Sequence, residues 1–175
     1  MRLQHYNAAA RSALGIGGRR PLRLNAKMSP WARRKMAMQF LYAMNFLHKH
    51  GVCHRDLSYG NVLIHTYDDG AFTVKVSDFG LAKERNSDLT STGSSMKGSI
   101  EDPALKSFKD FKPVNDIYSI GFILNYIFTG RRDLLADGSR LGSIIQKCSA
   151  TNSADRYQTV RDIIEDMKKA ECPVR

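Results

Sequence analysis

The stretch His54-Arg55-Asp56-Leu57-Ser58-Tyr59-Gly60-Asn61-Val62-Leu63-Ile64, followed a short way on by Ser77-Asp78-Phe79-Gly80, decides how the rest of the chain is read. An acid at Asp56 and an amide at Asn61 fit a loop that brings both to one phosphate site. Behind the loop comes an aliphatic, β-branched run, and then a second acid, Asp78, placed just before Phe-Gly. From Asn61 to Val76 the pattern has period two. Val62-Leu63-Ile64 and Phe72-Thr73-Val74-Lys75-Val76 flank Asp68-Asp69-Gly70, whose composition suits a hairpin turn. The spacing predicts one hairpin with the loop and Asp78 at its two ends, close in space, as a shared metal site requires.

Working outward, Ser29-Pro30 reads as an N-cap followed by proline at the first helical position. Trp31, Met36, Phe40, Leu41, Met44 and Leu47 then recur at helical spacing, which predicts a half-buried helix whose Met and aromatic stripe is core. Gly51 is its predicted stop. Downstream, Asp116 to Phe128 is a strongly apolar helix ended by Thr129-Gly130, too short and too polar for a membrane span. Leu141 to Cys148 and Thr159 to Lys169 read as two amphipathic helices. Residues 81–113 are polar, rich in Ser and Thr, and without a helical period; so long an unpatterned segment is uncommon in a compact domain unless it is functional.

At 175 residues, with 42% apolar and 25% charged side chains, the composition is that of one soluble globular domain. Cys53, Cys148 and Cys172 are odd in number, far apart and without metal-ligand spacing, which points to unpaired thiols in a reducing, cytoplasmic compartment. The net charge of +10 is uneven: residues 1–55 carry eleven Lys/Arg and no acid, and the remainder is near neutral. Three readings of residues 1–28 compete. Gly15-Ile16-Gly17-Gly18 lacks the spacing and flanks of a phosphate loop. The Arg-rich, acid-poor composition allows a targeting segment, without amphipathic support. The residues favour a basic, poorly ordered lead, or sequence displaced from a missing partner. Nucleic-acid binding is disfavoured, because aromatics are not interleaved with the charges.

The loop at His54–Asn61 and the Asp78-Phe79-Gly80 segment resemble the catalytic loop and metal-binding segment of the protein kinase family. Leu47-His48-Lys49-His50-Gly51-Val52 is similar to the phrase ending the family's long helix before that loop, and Asp116–Phe128 to its central buried helix. Ala154-Asp155-Arg156-Tyr157 resembles its short Arg-containing loop. Aminoglycoside-type phosphotransferases share the loop acid and amide, but Phe79-Gly80 favours the protein kinase branch. The resemblance covers residues 29–169. It implies an α+β, protein-kinase-like fold: a mainly helical large lobe at 29–170 with a short β-hairpin, between the lead (1–28) and a tail (171–175). It implies ATP and Mg2+ as cofactors, a protein as substrate, Asn61 and Asp78 as metal ligands, and Asp56 as the residue that takes the acceptor's proton. Leu63 would form the floor beneath the adenine, and His54 and Phe79 would stack. Gly80, Ser99 and Asp116 would be structural, and Arg55 would answer a phosphate at Thr90, Ser91, Thr92, Ser94 or Ser95.

Several positions depart from the family. Ser58 stands where Ser/Thr kinases carry a lysine, and Gly60 where tyrosine kinases place an arginine. Gly98-Ser99 resembles the Gly-Thr before substrate docking and leans towards Ser/Thr specificity. Glu101-Asp102-Pro103-Ala104-Leu105 is a degenerate form of the closing Ala-Pro-Glu motif, so Arg156 is expected to pair with Glu101 or with another partner. No Val-Ala-Ile-Lys-like strand precedes the first helix, so a small lobe is expected to be missing and the chain to be a fragment of a complete kinase, or to work with an N-lobe chain. Two functions follow: the catalytic lobe of a Ser/Thr protein kinase, or a catalytically weak, pseudokinase-like binding and regulatory module.

Overall fold

Ser29 and Pro30 start the first helix as their order predicts. The Ser29 hydroxyl accepts from the Ala32 N–H at 3.2 Å, and α1 runs Pro30–Lys49. Gly51, at φ 73°, takes the left-handed conformation just past its end. The computed structural model describes residues 28–67, 71–79, 83–84 and 100–170. Met36, Ala37, Phe40, Leu41 and Met44 make the buried face of α1. Trp31 does not belong to that stripe: it is 64% exposed, with the Lys35 ammonium over its ring. Five residues before Met36, it lies about 140° around the helix from it.

Two antiparallel pairs of strands follow α1. β1 (Val52–Cys53) pairs with β4 (Lys83–Glu84), and β2 (Val62–Thr66) pairs with β3 (Phe72–Val76). The β2–β3 register sets Val62 opposite Val76 and Thr66 opposite Phe72, the predicted hairpin. Its turn at 68–70 lies outside the described residues. Gln39 of α1 holds the hairpin in place. Its Oε1 accepts from the Val74 N–H at 2.8 Å and its Nε2 donates to the Phe72 carbonyl at 3.3 Å. The β1–β4 pair falls partly in the unpatterned segment, where a two-residue strand has no period to read.

The apolar run forms α2, Pro113–Thr129, which begins three residues before Asp116 because Pro113 opens the first turn and the Asn115 side-chain Oδ1 accepts from the Lys112 N–H at 2.8 Å. Gly130, at φ 71°, ends it. α3 (Arg140–Cys148) and α4 (Val160–Lys169) are capped by Ser139 and Thr159. Helices α1 and α3 pack on α2, and α4 packs on α1 and α3. Ile117, Ile120, Ile123, Leu124 and Ile127 of α2 are fully buried at the centre, each contributing roughly 1.5–3 kcal/mol of hydrophobic stabilisation. Arg33 and Arg34, two of the charges in the basic front third, clasp helix ends. Arg33 donates to the Ile127 carbonyl and Arg34 to those of Ala170 and Met167, at 2.7–2.8 Å, where cations complement exposed C-terminal carbonyls. Among the described residues no helix is long and apolar enough to cross a membrane. Cys53 and Cys148 are buried, burial pushes the Cys148 thiol up, and Cys172 lies outside the described residues.

Candidate active site

Asp116, in the first turn of α2, is the anchor from which the site is built. Its carboxylate is 1% exposed, and a buried charge is tolerated only when its lone pairs are filled. Oδ2 accepts from the His54 N–H and from His48 Nε2, both at 2.8 Å, and Oδ1 accepts from the Arg55 N–H at 3.0 Å. These bonds hold the start of the loop against α2. They also hold Arg55 at φ 71°, a left-handed conformation costing roughly 1–2 kcal/mol in a residue with a Cβ.

His54 carries the constraint across to the second acid. Its buried ring donates from Nε2 to the Ser77 carbonyl at 3.0 Å, and Nδ1 accepts from the Asp56 N–H at 3.3 Å. Those partners assign the neutral tautomer with its proton on Nε2. The Phe79 ring lies 5.1 Å from the His54 ring, tilted against it.

Asn61 closes the loop. Its Nδ2 donates to the Asp56 carbonyl at 2.7 Å and to Asp56 Oδ2 at 3.3 Å. Its own carbonyl accepts from the Ser77 N–H at 2.8 Å and from the Ser77 hydroxyl at 3.2 Å. The open end of the hairpin thereby brings Asp56, Asn61 and the Ser77–Asp78 segment together. Asp56 is buried at 5% exposure, whereas Asp78 is exposed and sits at φ 64°, a second left-handed residue. Leu57 is buried beneath the loop, while Ser58 and Leu63 are half-buried and Gly60 is exposed. Gly80, Ser99 and the candidate phosphate acceptors at 90–95 lie outside the described residues. The Arg55 guanidinium lies over Phe108 at 4.9 Å and Phe111 at 5.6 Å, and burial lowers its pKa from the ordinary value against the opposing pull of Cys53 and Asp116.

Arg156 takes Asp102, not Glu101. Both partners are buried, two guanidinium nitrogens meet the two carboxylate oxygens, and Nη2 donates to Oδ1 at 2.7 Å. Glu101 is exposed; the carboxylate one residue later is the one aimed inward. Asn115 Nδ2 also donates to Asp102 Oδ2 at 2.7 Å, and the Ala104 N–H to Oδ1 at 2.9 Å. Burial pushes the Asp102 carboxyl up, but the Arg156, Ala104 and Asn115 donors outweigh it and hold the group below the usual carboxylate range. Sequence reasoning missed Asp102, Asn115 and the His48 contact to Asp116. The available signal was a carboxylate two residues before an N–H in Asp102-Pro103-Ala104, which suits a local turn.

Among the described residues no group of three or more His, Cys, Asp or Glu could hold a metal ion by itself. A carboxylate at Asp78 and an amide oxygen at Asn61 are hard donors, too few for a self-sufficient cage. They fit Mg2+, which is usually bound by one or two carboxylates together with substrate phosphates and water.

The chain is 28% identical over 158 residues to a probable serine/threonine-protein kinase of Clostridium acetobutylicum, covering 75% of this chain and 23% of that protein. It is 27% identical over 169 residues to the probable serine/threonine-protein kinase PknB of Lactococcus lactis, covering 82% of this chain and 26% of that one. The chain thus spans about a quarter of the length of these curated relatives. The Mycobacterium tuberculosis PknI kinase domain superposes with a TM-score of 0.61 at 21% identity, over 84% of this chain and 58% of that domain, and that likeness establishes a protein-kinase-like fold. Residues 19–171 match the protein kinase domain family, and the chain belongs to it.

Proposed function

We propose that this chain is the large lobe of an ATP-dependent Ser/Thr protein kinase, transferring a phosphoryl group from MgATP to a protein hydroxyl. The observation that carries the reading is the closure of the loop onto the hairpin: Asn61 binds Asp56 through its side chain and Ser77 through its carbonyl. An acceptor hydroxyl at Asp56 is oriented by the carboxylate and gives up its proton to it, and the Asn61 Nδ2 bond keeps that carboxylate in one position. With Nδ2 committed to Asp56, Asn61 has its amide oxygen left for Mg2+, and Asp78 supplies the carboxylate. The metal, when bound, neutralises charge on the nucleotide phosphates. Leu63, half-buried on β2, forms the floor for the adenine. The wall above it belongs to a small lobe of strands, carried elsewhere in the parent protein or by a partner chain. Arg55 is the cation for a phosphate on the segment after Phe79. Residues 29–170 form the lobe, behind the basic lead, and its setting is cytoplasmic.

MgATP is expected to raise the melting temperature of the chain, and Asp78→Ala to abolish the rise, as mass action requires of a ligand bound only to the folded state. No MgATP-dependent shift in the wild type would overturn the reading. Ser58 favours a second one, a weakly active or inactive regulatory module, because a serine cannot neutralise a transferring phosphate as the family's lysine does. Phosphate transfer well above an Asp56→Asn control decides for the enzyme.

A further inference from the structure

We propose that Arg132 is the specificity-determining cation of this site, selecting peptide substrates that carry an aspartate or glutamate close to the acceptor hydroxyl. The proposal rests on the kinase reading and supplies its substrate class.

Tyr59 stands within the loop, between Asp56 and Asn61. Its ring meets the ring of Tyr126 in α2 at 5.0 Å, and the Arg132 guanidinium lies over it at 5.3 Å. Arg132 comes from the segment after α2, and that segment is built to keep it there. Asn125, fully buried in an otherwise apolar stretch of α2, donates from Nδ2 to the carbonyls of Arg131 and Asp133, both at 2.9 Å. Its Oδ1 accepts from the Leu135 N–H at 2.9 Å. The Thr129 hydroxyl donates to the Asn125 carbonyl at 2.8 Å and accepts from the Arg131 N–H at 2.9 Å. The backbone is therefore pinned on both sides of Arg132, and the side chain rests on an aromatic ring of the loop. A pre-organised cation loses less conformational freedom on binding than a loose surface arginine.

Its chemistry defines the ligand. Among the described residues Arg132 makes no ion pair, and its side chain is exposed. Stacking occupies one face of the guanidinium and leaves the N–H edges, which match a carboxylate in two-pronged geometry. The one Lys or Arg between His54 and Asn61 is Arg55, and it lies over Phe108 and Phe111. A charge meeting a substrate beside Tyr59 must therefore come from outside the loop, as Arg132 does. Tyr59 is three residues from Asp56 in the chain, and an extended peptide advances about 3.3 Å per residue, so the acidic side chain is assigned to a position a few residues from the hydroxyl held at Asp56.

The test uses the full chain and pairs of fluorescent serine peptides that differ only in Asp/Glu against Asn/Gln around the serine, read by anisotropy. The acidic peptide is expected to bind about fivefold more tightly. Arg132→Ala abolishes the preference and Arg132→Glu reverses it, with unchanged melting curves. Arg140→Glu, an exposed arginine on α3 carrying the same charge change, keeps it. Equal affinities for the two peptides, no binding of either, or loss of preference in Arg140→Glu as large as in Arg132→Glu would overturn the proposal. The last of these outcomes assigns the effect to net charge. MgATP binding, read separately as a melting shift, distinguishes the failures. A shift with equal peptide affinities removes the subsite alone, and a retained preference without a shift removes the kinase reading alone.

Discussion

Replacing Arg156 with methionine tests the assignment of the buried ion pair. The guanidinium and the Asp102 carboxylate have side-chain exposures of 0% and 2%, so water cannot take over for a missing partner. Arg156 also donates to the carbonyls of Ala150 (2.6 Å), Thr151 (3.1 Å) and Val114 (3.2 Å), and its charge lies 4.7 Å from the Tyr118 ring centroid. Arg156→Met leaves Asp102 with the Ala104 and Asn115 donors alone, and strips three carbonyls. Removal of one member of a buried pair costs about 3–5 kcal/mol, and the stripped carbonyls place the loss towards the upper end. Urea unfolding measures it directly. Asp102→Leu combined with Arg156→Met is expected to recover at least half of the loss, because no unpaired charge then stays buried. Glu101→Gln, on an exposed side chain, changes stability by no more than about 0.5 kcal/mol.

The same pair fixes a pH dependence. The Asp102 carboxyl is held below its ordinary value in the folded chain, so its contribution is fully present above the unfolded pKa of about 3.9 and is lost as pH falls through the folded value. The stability gap between wild type and Asp102→Asn should therefore be widest near neutrality and shrink below about pH 4. An Arg156→Met cost under about 1 kcal/mol, or a gap that widens in acid, would refute the reasoning and return Glu101 as the partner.

Asp116→Asn keeps one acceptor oxygen and turns its NH2 donor towards either the His54 N–H or the Arg55 N–H, which bind different oxygens of the carboxylate; a loss of about 3 kcal/mol or more is expected, with faster amide exchange at the N–H left unpaired. Asp78→Gly removes a side chain from a left-handed position at φ 64°, so stability should rise by up to about 1 kcal/mol in denaturant titrations. The MgATP melting shift should vanish in the same variant. Gly121→Ala drives a Cβ into Ser149 Oγ and places it 2.8 Å from Cys148 Cβ and 3.1 Å from the Ile145 carbonyl. Separating α2 from α3 to make room should cost roughly 1–3 kcal/mol by urea unfolding.

Which parts of this site were legible follows from how far apart its partners lie in the chain. Asp56 and Asn61 share one loop, and the period-two runs around Asp68-Asp69-Gly70 dictate a hairpin that returns Ser77 to Asn61. Local pattern thus suffices for that half of the site. Capping chemistry was equally local: Ser29-Pro30, Gly51 and Gly130 sit where their backbone preferences put them. The choice of Asp102 over Glu101 was not local. Two adjacent carboxylates present the same composition, and only packing against Arg156, 54 residues on, turns one inward. Trp31 departs from the pattern for a different reason: apolar character groups it with the core residues, and its angular offset from Met36 takes it off their face of the helix.

Asn125 shows what a closer physical reading of the sequence could still have recovered. It is the one amide within Ile-Gly-Phe-Ile-Leu-Asn-Tyr-Ile-Phe, and an amide in such a run must be satisfied or be expensive. Within a helix its backbone groups are already engaged, so its side chain must find partners beyond the helix end. The nearest chain that could offer them is the segment after Gly130. That inference identifies the 131–135 segment as structurally fixed, although its Arg-Arg-Asp composition reads as an ordinary solvated loop. It does not tell which of Arg131 and Arg132 meets Tyr59, because the answer depends on how the loop at His54–Asn61 lies against α2. Asp116 settles that arrangement from the opposite end of the same helix. One helix therefore positions both the loop that would carry the chemistry and the cation that would choose its substrate, with a buried polar side chain near each end.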